Sequence, residues 1–284
     1  MPATATAVAA LLEGTAITTV ARDVVTVEGP DASRFLQGQL SQDVAGMALS
    51  TAALTFLLDP QGKVTAVLRV VRAAEDRFRL DGDAGTGAAV LARLQRFKLR
   101  TKADLELVEG VSHAAARSSA LPTPDGAFDL PWPGRSGWDL PVAGETRALP
   151  GGRVVPASNL DGVRVAALVP AAQDLDERAI PAETGLVEAA ASFTKGCYTG
   201  QELVARMDSR GGAGPRTLRR VVGDGEVPEA GSPLTAASTG KPAGSLTTVT
   251  PTEEGWAGLA LVPRAVDAGD ELRLGGGAPG RVER

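Results

Sequence analysis

Between Ala16 and Val27 the chain concentrates Ile17, Thr18, Thr19, Val20, Val24, Val25 and Val27, a density of β-branched residues that predicts one or two strands. Gly29-Pro30-Asp31 breaks this run. Phe35, Leu36 and Leu40 follow at helical spacing and predict a short helix. Thr51–Leu58 and Lys63–Val71 are two further strand-like runs. Asp59-Pro60-Gln61-Gly62 between them has the proline and glycine of a type I turn, so the pair reads as a hairpin. Arg77–Leu80 predicts a strand, and Ala88–Phe97 a helix with Val90, Leu91, Leu94 and Phe97 on its buried stripe. Residues 118–153, rich in Pro and Gly, read as a long connection with short strands that leaves Trp132 and Trp138 near the surface. Ser158 is placed to cap a helix running to about Leu168. From Thr217 onward short strand-like runs alternate with turn clusters such as Gly223-Asp224-Gly225 and Gly231-Ser232-Pro233, the pattern of a small barrel. A boundary at Gly211 to Pro215 follows.

Composition narrows the class. A chain of 284 residues with 43% hydrophobic and 22% charged positions is globular and long enough for two domains. No run approaches the ~18 apolar residues of a membrane span. The apolar stretch Val8–Leu12 has no Lys or Arg before it and ends at Glu13, which argues against a signal peptide and makes the cytoplasm the default; a monomer is expected. One cysteine excludes an internal disulfide, and one cysteine with one histidine, His113, cannot complete a zinc or iron–sulfur site from this chain alone. The net charge of −5 argues against broad nucleic-acid binding. The densest basic stretch, Arg93, Arg96, Lys98, Arg100 and Lys102, reads first as a solvated face and second as a contact for an anionic ligand or tRNA.

The informative segment is Lys195-Gly196-Cys197-Tyr198-Thr199-Gly200-Gln201-Glu202. Thr199 and Glu202 have the spacing of a capping box, so a helix is expected to start there and run through Met207. In an extended approach Lys195 and Cys197 point to one side. A cation and a helix start both favour thiolate over thiol. A lone cysteine is about as often a small buried hydrophobe, so residue chemistry leaves both readings open. Other signals are weaker. Gly85-Thr86-Gly87 lacks the third glycine of a dinucleotide loop. His113 has no nucleophile beside it and reads as a structural residue, and Asp174, Asp176 and Glu177 read as loop carboxylates.

The octapeptide resembles the signature of the YgfZ family, Lys-Gly-Cys-aromatic-x-Gly-Gln-Glu. Phe35-Leu36-Gln37-Gly38-Gln39-Leu40 with Asp43-Val44, Asp59-Pro60-Gln61-Gly62-Lys63, Leu94–Lys102, Pro181 with Gly185-Leu186, and Thr239-Gly240-Lys241 with Gly244 stand in that family's order. The resemblance implies an α+β fold like that of the glycine-cleavage T-protein. Its two α+β lobes fall at about 1–110 and 111–214, and a C-terminal antiparallel β-barrel at 215–284. It further implies a tetrahydrofolate or related cofactor, iron–sulfur client enzymes or assembly factors as partners, and an association with tRNA modification. Cys197 is then the reactive group and Lys195 its electrostatic partner, with Gly196, Tyr198, Gly200, Gln201 and Glu202 shaping the loop and cofactor contact. Two departures stand out. The family's Arg-hydrophobic-Glu-Ala-Gly is Arg164-Val165-Ala166-Ala167-Leu168 here, and the acids that aminomethyltransferases carry after the hairpin turn are Ala66-Val67. The alternative of a folate-dependent one-carbon transferase therefore lacks its acids.

Overall fold

The computed structural model describes residues 2–142, 153–208, 212 and 214–283. The boundary expected at Gly211 to Pro215 lies largely outside these residues, as does the end of the Pro/Gly-rich connection.

Helix α1 (Pro2–Glu13) leads into β1 (Ala16–Glu28), one continuous strand. The apolar Val8–Leu12 segment is thus part of a helix whose Ala7 and Leu11 are buried. Helix α2 (Ala32–Gln39), strands β2 (Ala52–Leu58), β3 (Val64–Arg72) and β4 (Arg77–Asp83), and α3 (Gly87–Phe97) match the periodicities that predict them. Strands β5 (Asp104–Ala116), β6 (Phe128–Asp129), β7 (Trp138–Pro141) and β8 (Arg153–Val154) complete one sheet in the order β2-β3-β4-β1-β5-β7-β6, with β8 beside β1. All neighbours on the main path are antiparallel; only β8 pairs in parallel. Strand β1 is central because its β-branched residues suit a sheet position covered on both sides.

Helix α4 (Leu160–Ala167) joins this sheet to the barrel. Val163 packs in the core that includes Leu11 and Phe56, while Val165 packs with Leu218, Leu259 and Leu261. Ser158 does not cap α4: it sits inside a single 3-10 turn, Ala157–Asn159, and no side-chain cap bond forms. The helix ends on Leu168 at φ 53, ψ 40. This is the left-handed position where the family pattern has glycine, because a β-carbon there costs roughly 1–2 kcal/mol.

Short helices α5 (Val187–Ala190) and α6 (Gln201–Asp208) precede strands β9 (Arg216–Gly223), β10 (Pro233–Ala236), β11 (Pro242–Pro251), β12 (Trp256–Pro263), β13 (Glu271–Leu274) and β14 (Pro279–Val282). These six close into an antiparallel barrel, β10-β11-β12-β9-β14-β13, around Trp256, Leu246 and Val262. Trp132 and Trp138 are not near the surface. Trp138 is 1% exposed against Ile17, Ala114 and Leu121, because β7 pairs with β5 and extends the sheet over it.

Candidate functional site

The motifs that stand apart in sequence meet at one corner. The α2 helix ends with its last carbonyls free to accept, and Lys195 fills that end. Its Nζ donates to the carbonyls of Gln37, Leu40 and Gln42 at 2.7, 2.7 and 2.8 Å. The Tyr198 ring lies 5.0 Å from the same nitrogen. An ammonium group has three N–H donors, so all are taken and none is left for Cys197. Lys195 thus caps α2 rather than hydrogen-bonding the thiol. Burial pushes the Lys195 pKa down to about 8, with Asp43 opposing. Burial also raises Tyr198 to about 12, so its phenol stays protonated near neutrality.

The capping box does not form either. Helix α6 starts at Gln201, after Gly200 at φ +82. The Thr199 hydroxyl turns to the Gly38 carbonyl, and Glu202 pairs with Arg206 on the surface. The backbone N–H of Tyr198 is taken by the Gln201 side chain at 3.0 Å. Gly200 touches the hairpin turn: a β-carbon there would stand 2.6 Å from the Asp59 carbonyl oxygen, and one on Gly62 would stand 2.6 Å from Leu203. The turn is in turn fixed by the Asp59 carboxylate, which accepts from the Gln61 and Lys63 backbones. So α2, the β2–β3 turn and the signature loop lock one another. Gly196 and Cys197 stand out from this corner, and Cys197 is exposed.

Arg93, counted above with the basic stretch, belongs to the same corner and is 9% exposed. Its guanidinium donates to the Leu58 carbonyl and Gln39 and lies 3.9 Å from the Phe97 ring centroid. Arg96, Arg100 and Lys102 are exposed and Lys98 is partly so, beside Leu99 at 80% exposure. Gly85 and Gly87 hold no phosphate: with Gly110 their N–H groups bind the Asp23 carboxylate, which a register shift in β1 aims at them.

A second cluster escaped the sequence reading. Arg22, Arg69, Arg117, Asp81 and Asp139 are all buried within the sheet. Asp139 accepts from Arg22, Arg69 and Arg117 at 3.0, 2.8 and 2.7 Å. Arg69 and Arg79 both hold Asp81, and Arg164 holds Asp83 at 2.6 Å. Burial raises the Asp139 carboxyl, and the three guanidiniums outweigh it, holding it far below the usual carboxylate range. His113 donates from Nδ1 to the Val111 carbonyl and accepts at Nε2 from Arg79, which makes it neutral. Burial keeps its pKa at about 4. The signal was in the sequence: a charged residue interrupting an apolar strand, as Arg69 does in Val-Leu-Arg-Val-Val, must be paired.

Two small clefts flank β3. One, of about 60 Å³, is lined by Ala66, Val67, Asp83 and Ala172. The other, of about 30 Å³, is lined by Val67, Trp132 and the charged groups of Arg22, Arg69, Asp81, Asp83 and Arg164. Both are far below the ~300–1,000 Å³ typical of cofactor sites. The wall positions 66 and 67 are apolar, as is Ala166 on α4. Positions 66, 67 and 166 therefore offer no carboxylate to a pterin, and Asp81 and Asp83, which do face the clefts, are held by Arg69, Arg79 and Arg164. Among the described residues no cluster of His, Cys, Asp and Glu could hold a metal ion. No described helix is long and apolar enough to cross a membrane.

No family model matches the chain. It is 30% identical over 249 residues to the tRNA-modifying protein YgfZ of an Enterobacter species, an alignment covering 74% of this chain and 73% of that protein. The YgfZ protein of Klebsiella pneumoniae is 31% identical over 239 residues, 74% of this chain and 72% of its own length. A mitochondrial iron-sulfur cluster assembly factor IBA57 homolog of Neurospora crassa is 28% identical over 73% of this chain. The chain spans about half of that fungal relative, 54%, and 66% of an uncharacterised Haemophilus influenzae protein. The glycine cleavage system aminomethyltransferase T of Bartonella henselae superposes with a TM-score of 0.79 over 98% of this chain and 88% of its own, at 20% identity. The fold is thus that of the aminomethyltransferases, and the chain belongs to the YgfZ family.

Proposed function

We infer that this chain supports the assembly or repair of iron–sulfur clusters in client enzymes, working in the cytoplasm as a monomer with Cys197 as its acting group. The observation that carries this is the placement of Cys197: an exposed thiol projecting from a corner locked by three separate motifs. A buried structural cysteine has no need of such a mounting. One thiol supplies a single ligand or nucleophile, so a cluster must be held mainly by the partner. The names of the relatives, iron-sulfur cluster assembly factor and tRNA-modifying protein, support the same reading. Tetrahydrofolate is a weak ligand here, and aminomethyl transfer is disfavoured, because positions 66, 67 and 166 are apolar.

The test is complementation of a bacterial strain lacking its own YgfZ, read as the activity of an iron–sulfur enzyme at matched protein levels. The parent restores activity and Cys197→Ser, which stays folded, does not. Equal rescue by the two would overturn the assignment of Cys197. A second reading, direct contact with tRNA, is favoured by the exposed Arg96, Arg100 and Lys102 with partly exposed Lys98. Arg93 is no part of that surface.

A further inference from the structure

The loop between α3 and β5 presents Leu99 to solvent among Arg96, Lys98 and Arg100. A single exposed leucine is ordinary on a protein surface, so what matters is how this one is held. The loop is tied at both ends. The Lys98 N–H donates to the Gln95 carbonyl and the Leu99 N–H to the Phe97 carbonyl, each at 3.1 Å. At the far end the Asp31 N–H donates to the Lys102 carbonyl at 3.1 Å, and the Asp31 carboxylate accepts from the Lys102 N–H at 2.8 Å. Between the ties Arg100 stands at φ 52, a left-handed position that costs a residue with a β-carbon roughly 1–2 kcal/mol. Among the described residues no carboxylate pairs with Arg96, Lys98 or Arg100. The neighbouring acids are engaged or stand at the other end of the loop. Asp59 accepts from the Gln61 and Lys63 N–H groups, Asp31 holds Arg34 and the Lys102 N–H, and Glu28 pairs with Arg77 opposite Asp104. The result is a cationic patch with an apolar centre, on a chain of net charge −5. It continues from Arg93, one turn back on α3, and Gln39 links it to the signature loop: its side-chain oxygen accepts from Arg93 at 3.1 Å and from the Thr199 hydroxyl at 3.5 Å.

We propose that this patch docks an acidic segment of the protein partner, with an apolar residue of that segment seated on Leu99 and its carboxylates on Arg96, Lys98 and Arg100. The proposal rests on the reading of the chain as an accessory to iron–sulfur proteins. Guanidinium forks match carboxylates in charge and shape, and a loop already fixed in place loses little freedom when it is covered. RNA is a poorer match. Surfaces that hold RNA offer exposed aromatic rings for base stacking, whereas Phe97 is half-buried and already carries the Arg93 guanidinium at 3.9 Å. The net charge of −5 also repels an extended polyanion over the rest of the molecule, while a short acidic segment meets only the patch. A membrane surface calls for a broader apolar face than one leucine.

The experiment titrates the full chain into a fluorescein-labelled peptide of glutamates around a central Leu-Leu pair, followed by anisotropy. Saturable binding that weakens as salt is raised is expected. Leu99→Ser should weaken it by about tenfold, the loss of the apolar anchor, and leave the weaker binding of an all-glutamate peptide unchanged. Arg100→Gly removes one cation and relieves the left-handed strain, so binding should fall while Tm stays level or rises. Unfolding then cannot account for the loss. The proposal is overturned if the peptide shows no saturable binding or if neither substitution weakens it. It is equally overturned if purified tRNA, or phosphatidylglycerol vesicles, bind more tightly and displace the peptide, which would give the patch to RNA or to a membrane. Cys197→Ser should bind the peptide as the parent does. A parent that fails to complement strikes the iron–sulfur reading and leaves peptide binding standing, whereas complementation without peptide binding strikes only this surface.

Discussion

At Lys195 three donors meet three acceptors, and this balance makes the residue structural before it is anything else. Replacing it with methionine leaves the carbonyls of Gln37, Leu40 and Gln42 facing one another at the negative end of α2. Lys195→Met is expected to lose about 1–3 kcal/mol of stability, the cost of unsatisfied buried acceptors, measured by urea denaturation. The pH dependence has a definite sign. Burial lowers the folded-state pKa from 10.5 to about 8. Between those values the unfolded chain holds a proton that the folded chain has released, so this residue makes stability rise from about pH 8 towards 10.5. The rise should be missing from Lys195→Met. A parent profile that is flat over the same range would show that the three carbonyls cancel the effect of burial.

The corner around Cys197 is a property of elements in contact. Gly200 combines φ +82 with a β-carbon position 2.6 Å from the Asp59 carbonyl oxygen. Gly200→Ala should therefore cost more than about 1 kcal/mol, while Gly196→Ala, where a β-carbon meets nothing within 4 Å, should be tolerated. Thermal denaturation of the two variants compares them directly, and equal Tm values would disprove the locked corner. The residues of this site were legible in the sequence, but their roles were less so. Thr199-x-x-Glu202 has capping-box spacing, yet the left-handed Gly200 delays the helix and the α2 end takes the Thr199 hydroxyl. Lys195 was readable as a cation near the thiol. Where a four-carbon side chain ends depends on what lies within reach, and the nearest carbonyls come from residues more than 150 positions away.

Across the whole molecule, the strand and helix periodicities of residues 16–97 and the turn-punctuated barrel were readable because each is a local pattern. The alanine-rich α1 and the burial of Trp132 and Trp138 were not, since both depend on what the sheet and α4 place over them. The buried ion network was the largest omission, and it governs how the protein meets acid. His113 is 0% exposed and neutral, with its folded-state pKa lowered by burial from 6.5 to about 4. Between those values the unfolded chain gains a proton that the folded chain refuses, so stability falls as pH drops from 6.5 to about 4. At about 1.4 kcal/mol per pKa unit the loss is about 3 kcal/mol. The carboxylates follow the opposite chemistry to the same end. Asp81, Asp83 and Asp139 are held below their usual range by guanidiniums, so the stability they supply is present above pH 4 and is lost as pH falls further. Acid unfolding should therefore come in two stages, histidine first. His113→Gln keeps a donor for the Val111 carbonyl and an acceptor for Arg79 while removing the titration. Its stability should hold nearly level from pH 6.5 to 4.5 where the parent declines, and then fall with the parent's slope. Urea midpoints at half-unit pH steps would show it, and identical profiles for the two proteins would mean that His113 is not the group that titrates.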